Sequence, residues 1–75
     1  MSELTFGQKA VGLSFNPSGN NQVQYIKEEF ASIIDRLDAL RQITTSDAVK
    51  RMLSVAITEA QTSQMWAVKA VTWQD

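Results

Sequence analysis

Phe15-Asn16-Pro17-Ser18-Gly19-Asn20, with Lys27 about two helical turns beyond, is the stretch whose residue types suit a ligand, and the ligand they suit is an anion. Pro17 fixes φ and carries no N–H, Gly19 can take positive φ, and Asn or Ser side chains bond their own backbone, so a defined turn is expected. A helix starting near Asn21 would then point unpaired backbone N–H groups into that turn. Taken alone, the same residues also describe nothing more than a helix start. Phe15, Tyr25, Trp66 and Trp73 offer faces on which purines stack, while Lys27 and Lys69 offer charge to phosphates. Trp66 and Trp73 equally suit an interface, and Lys69 a snorkelling surface lysine.

The chemistry that is missing narrows the function further. The chain has no His and no Cys, which removes the usual general base, the thiolate nucleophile and the soft metal ligands. Asp35 with Asp38, and Glu28 with Glu29, fall among polar positions of an amphipathic pattern and read as solvated. There is no GxxxxGK[ST] loop and no GxGxxG after a strand. A non-enzymatic protein with no cofactor and no metal site is expected.

The elements that must position these residues are helical. From Asn21 to Leu40, Val23, Ile26, Phe30, Ile33, Leu37 and Leu40 recur at spacings of three and four, and Ile34 widens the stripe. Asn21 and Gln24 resemble a capping box, so a first helix is placed at 21–42. Thr45 or Ser46 can cap a second helix, placed at 46–73 by Val49, Met52, Leu53, Ala56, Ile57, Ala60, Ala67 and Val71. Two long helices with a short connection fold back antiparallel. Gly7 and Gly12 argue against a long helix before them, so residues 1–20 are expected to form an irregular arm and turn on a single all-α domain, 1–75.

A chain of 75 residues buries only about 60% of its unfolded surface, and without disulfides or zinc the remaining source of stability is self-association. A hairpin has too little interior to hide Met65, Trp66, Val68 and Trp73 as well as its core, and between Ala60 and Gln74 the only charge is Lys69. A compact homo-oligomer is therefore expected. The net charge of −1 disfavours a DNA or RNA polymer as partner. No apolar run reaches the ~18 residues of a membrane span and the first residues lack a signal-peptide pattern, so a cytoplasmic protein with no membrane partner is expected.

Two segments carry a resemblance: Ala10-Val11-Gly12-Leu13-Ser14-Phe15-Asn16-Pro17-Ser18-Gly19-Asn20 with Val23, Ile26 and Lys27, and Gln64-Met65-Trp66-Ala67-Val68-Lys69-Ala70-Val71-Thr72-Trp73. They resemble the phage anti-CBASS cyclic-oligonucleotide sponge family, whose helical-hairpin module is shared with the Thoeris anti-defence sponges. The resemblance spans residues 10–42 and 52–73. It implies a small α-helical protein that assembles as a hexamer and binds cyclic di- and trinucleotides without cleaving them, so that they never reach the host's immune effector. In the family an aromatic before the first helix and a lysine in its early turns hold a dinucleotide between protomers, and Phe15 and Lys27 match those positions. Asn16, Pro17, Ser18, Gly19 and Lys69 complete the expected ligand-binding set. Symmetry gives a physical reason for such an assembly. A cyclic dinucleotide suits a two-fold axis, a trinucleotide a three-fold, and the two together close as a dihedral hexamer. Two alternatives stay open: an adaptor hairpin that docks a protein on its apolar C-terminal helix, and a sponge for cyclic ADP-ribose signals.

Overall fold

Each helix begins at a side chain that supplies an acceptor to N–H groups the helix itself cannot satisfy. In the computed structural model, which describes residues 3–75, Thr5 caps α1 (Phe6–Ala10), Asn20 caps α2 (Asn21–Ile43) and Ser46 caps α3 (Asp47–Val71). Among the described residues there is no strand, and no helix is long and apolar enough to cross a membrane. The capping box lies at Thr5 and Gln8, whose side chains and backbone N–H groups pair reciprocally at 3.0 and 2.8 Å. Asn21 and Gln24 form no such box. Asn20 is the extended residue before the first helical turn, and its Oδ1 accepts from the Gln22 N–H at 2.8 Å.

The connection between α2 and α3 is Thr44–Ser46, short enough to force an antiparallel hairpin. Both ends of the hairpin are tied across. Arg41 donates to Ser54 Oγ (3.0 Å) near the connection, and Asn20 Nδ2 donates to the Val71 carbonyl (3.3 Å) at the open end.

The arm expected to be irregular instead contains α1, packed on α2; Met1 and Ser2 lie outside the described residues. Gly7 explains both the helix and its docking. It is buried, its N–H donates to Asp35 Oδ1 at 2.7 Å, and a Cβ there would collide with the Ala31 carbonyl oxygen. Glycine thus lowers helix propensity but allows backbone-to-backbone approach, and the approach wins. Asp35 is accordingly half-buried at the N-terminus of α1, while Asp38 pairs with Arg41 at 2.7 Å; they are not a solvated pair.

The core is small: Val11, Ala31, Ile34 and Ile57, flanked by partly buried Ala10, Leu13, Phe30, Leu37 and Ala60. On α2 the buried positions are Val23, Lys27, Ala31 and Ile34, a face rotated by about a quarter turn from the centre of the apolar stripe that runs from Val23 to Leu40. Ala31 sits at the centre because its small side chain admits α1, and that shift leaves Ile33 52% exposed with Leu40 exposed beside it. On α3, Met52, Met65 and Trp66 are exposed as well, and so is Trp73 just beyond its end. The protomer measures 46 × 34 × 12 Å, and its radius of gyration of 13.7 Å exceeds the ~11 Å of a compact domain of this length. It is a slab close to one helix thick, with no second layer to cover its apolar faces.

Gly7→Ala is expected to destabilise the fold by about 1–3 kcal/mol, because the Ala31 carbonyl cannot move without breaking α2. The check is the urea midpoint, with Ser32→Ala, on the exposed surface of the same helix, expected to stay within about 0.5 kcal/mol of the parent. Equal midpoints for the two variants would mean that α1 does not dock through Gly7.

Candidate functional site

Two consecutive turns separate α1 from α2, and each is closed by its own backbone. The Phe15 N–H donates to the Gly12 carbonyl at 2.9 Å, and the Gly19 N–H to the Asn16 carbonyl at 3.2 Å. Gly12 and Gly19 both have φ +64°, the left-handed conformation that these reversals need. The side chains of the second turn are used internally. Ser18 Oγ donates to Asn16 Oδ1 (2.9 Å) and accepts from the Asn20 N–H (3.2 Å), while Asn16 Nδ2 donates to the Asn20 carbonyl (3.1 Å). Asn16 and Ser18 therefore build the wall of the site, and their polar groups are largely spent on its shape.

Lys27 anchors this loop from beneath. Only 5% exposed, it reaches from α2 to donate to the Gly12 carbonyl at 2.9 Å and to the Phe15 carbonyl, so it clamps both ends of the first turn. The Phe15 ring is 71% exposed and its centroid lies 5.6 Å from Lys27 Nζ. Among the described residues no carboxylate pairs with Lys27, the ion pair present being Arg41–Asp38. A buried ammonium held by two carbonyl dipoles and no counter-charge is a costly arrangement. Its third N–H remains for another acceptor.

Phe15 and Lys27 border two depressions, together with Val68 of α3. One, of ≈ 290 Å³, is walled by Asn16, Pro17, Ser18, Val23 and Thr72. The other, of ≈ 500 Å³, is lined by Lys9, Gly12, Gln64 and Met65. These sizes lie at the lower end of the range for small-molecule sites. The sequence-predicted residues Phe15, Asn16, Pro17, Ser18 and Lys27 thus converge, and Gly19 shapes the turn without lining it. Lys69 is not brought to them. Its Nζ sits 5.1 Å from the Trp66 ring centroid and 5.9 Å from that of Trp73, in a separate open depression on α3.

Sequence reasoning missed Lys9, Gln64 and Thr72. For Gln64 a signal existed, since it continues the buried stripe of α3 through Leu53, Ile57 and Ala60 at spacings of four, three and four. A polar residue at such a position is the informative exception.

A family model described as Acb2/Tad1, hairpin domain, matches residues 8–72, a span that includes both turns and both long helices. No curated protein and no solved structure matches the chain.

Lys27→Met keeps the stem that packs in α2 and removes the donors to Gly12 and Phe15. The expected result is unchanged helix content with at least several-fold faster hydrogen exchange at the Phe15 amide, measured by NMR, because the first turn loses its clamp. Retained protection at that amide would show that the turn holds without Lys27.

Proposed function

The chain belongs to the Acb2/Tad1 hairpin family, the anti-CBASS and anti-Thoeris sponges, and we propose that it captures cyclic di- and trinucleotides intact through Phe15 and Lys27. The observation that carries this reading is the buried Lys27 ammonium, without a carboxylate partner, directly beneath an exposed aromatic ring. A cyclic dinucleotide supplies what the site lacks: a phosphate for the remaining N–H of Lys27 and a base for the face of Phe15. Asn16, Pro17 and Ser18 give this seat a rigid wall.

The groups at hand support capture without cleavage. The chain has no histidine or cysteine, and the hydroxyls of Ser18 and Thr72 donate to Asn16 Oδ1 and to the Val68 carbonyl. Neither hydroxyl faces a base that would activate it, so bound phosphodiesters meet cations and dipoles only.

One protomer offers a single ring and a single buried ammonium, which is half of what a two-fold ligand can use. In the proposed assembly a second copy completes the site, and the exposed Ile33, Leu40, Met65, Trp66 and Trp73 are covered where copies meet. Two-fold pairs related by a three-fold axis make a hexamer, in which Lys69 and its two tryptophans form a subsite apart from the dinucleotide seat. Acting in the host cytoplasm, such a sponge lowers the free messenger concentration below what a CBASS effector needs. The exposed Met65–Trp73 surface also fits an adaptor that docks another protein, and the measurements below separate the two.

Protein mixed with a cyclic dinucleotide, freed of excess ligand and then denatured is expected to release the ligand intact. Linear products would mean an enzyme, and no uptake would overturn the sponge reading. Phe15→Ala should weaken binding by roughly 5- to 150-fold, the equivalent of ~1–3 kcal/mol of stacking, in calorimetry across a panel that includes trinucleotides and cyclic ADP-ribose compounds. Phe15 is the cleaner probe, because Lys27 also holds the loop. By light scattering the protein is expected to be a hexamer, with Trp66→Ala shifted toward smaller species; a monomer that binds no nucleotide would favour the adaptor.

A further inference from the structure

Gln64 is the one polar side chain besides Lys27 that the described fold buries, and the two are treated differently. Lys27 has carbonyl partners. Gln64 is 5% exposed, and among the described residues no hydrogen bond to its amide is formed. Its neighbour about one helical turn away, Gln61, does find a partner, the Ala10 carbonyl at 3.4 Å. No buried side-chain nitrogen or oxygen is both sealed from solvent and unpaired, so the Gln64 amide keeps an opening. The space it lines is the ≈ 500 Å³ depression shared with Phe15 and Lys27.

An amide at a core position of α3 that pairs with no group of its own protomer adds no internal hydrogen bond to the fold, and a leucine there would pack as well. Lys9 and Lys27 bring charge to the depression and Val11, Met65 and Val68 bring apolar surface, so Gln64 is the one side chain lining it that carries both a donor and an acceptor. A carboxamide presents one donor and one acceptor side by side. Adenine presents the complementary pair, the N7 acceptor and the N6 amino donor, along one edge; guanine shows two acceptors, N7 and O6, along the same edge.

We propose that Gln64 reads the base that stacks on Phe15, and that it selects adenine through the N6/N7 edge. This rests on the nucleotide-capture reading above and adds to it a specificity residue and a base. Lys27 and the Phe15 ring bind any cyclic dinucleotide through features common to all of them. Gln64 distinguishes among them, because a guanine in the same place leaves half of the carboxamide unpaired.

The test measures affinities of the full-length protein for cyclic di-AMP, cyclic di-GMP and the 7-deaza analogue of cyclic di-AMP, with Gln64→Leu and Gln64→Met beside the parent. The parent should favour cyclic di-AMP over each of the others by roughly 5- to 150-fold, the discrimination of one bidentate base contact. Both variants should bind all three alike, near the parent's affinity for the 7-deaza ligand, while keeping helix content. Should Gln64→Leu fail to fold, the unbranched Gln64→Met and the 7-deaza comparison in the parent carry the test. A parent that binds cyclic dinucleotides through Phe15 without an adenine preference, or a preference that survives in the variants, overturns the proposal and leaves the capture reading standing. A parent that binds none of the three overturns both.

Discussion

The contact between the Lys27 ammonium and the carbonyls of Gly12 and Phe15 organises this protein. It fixes the loop before the long helix to the second turn of that helix, with the exposed Phe15 ring beside the ammonium. It also stores a positive charge beneath an aromatic ring, balanced by dipoles and by no acid. Electrostatics of this kind are weak in the open and strong when partly desolvated. Burial that makes the lysine expensive to the fold also makes it effective toward a phosphate, whose own hydration it can replace. A chain with net charge −1 thereby presents a locally basic seat without a basic surface.

The hairpin is the frame for that contact, and its geometry follows from one close approach. Gly7 meets the Ala31 backbone and the Asp35 carboxylate, which draws α1 onto α2. The face of α2 that turns inward is therefore the one with Val23, Lys27, Ala31 and Ile34, and Ile33 and Leu40 turn outward. A slab whose core cluster centres on four buried residues is what results. Its apolar surface is distributed over both long helices, which is the condition under which copies of a small domain gain by covering one another. The proposed division of the site between protomers fits this economy, since it needs little from each.

Much was legible from local chemistry. The helices, their antiparallel course and the turn at Phe15–Asn20 follow from spacing, capping residues and the conformational limits of Pro17 and Gly19, all of which act over a few residues. Asn21 with Gln24 imitates a capping box, but the box lies at Thr5 and Gln8, and α2 is capped by Asn20, whose extended backbone alone distinguishes it from the chemically similar Asn21. The arm was read as irregular because Gly7 counts against a helix when its neighbours in space are unknown. Lys69 was grouped with Lys27 by residue type, yet the fold sets it with Trp66 and Trp73 instead.

The sequence by itself determined that this chain is a helical hairpin with a rigid aromatic turn at the head of its first helix, because periodicity and backbone preferences are properties of neighbouring residues. Only the tertiary structure decided which face of each helix became interior. About a quarter turn of α2 converts Lys27 from a residue on the edge of an apolar stripe into the buried clamp of the loop, and the packing of α3 sets the Gln64 amide beside it. Such rotations are fixed by contacts between segments far apart in the chain, the glycine against Ala31 above all, and a steric contact over that separation leaves no local pattern to read.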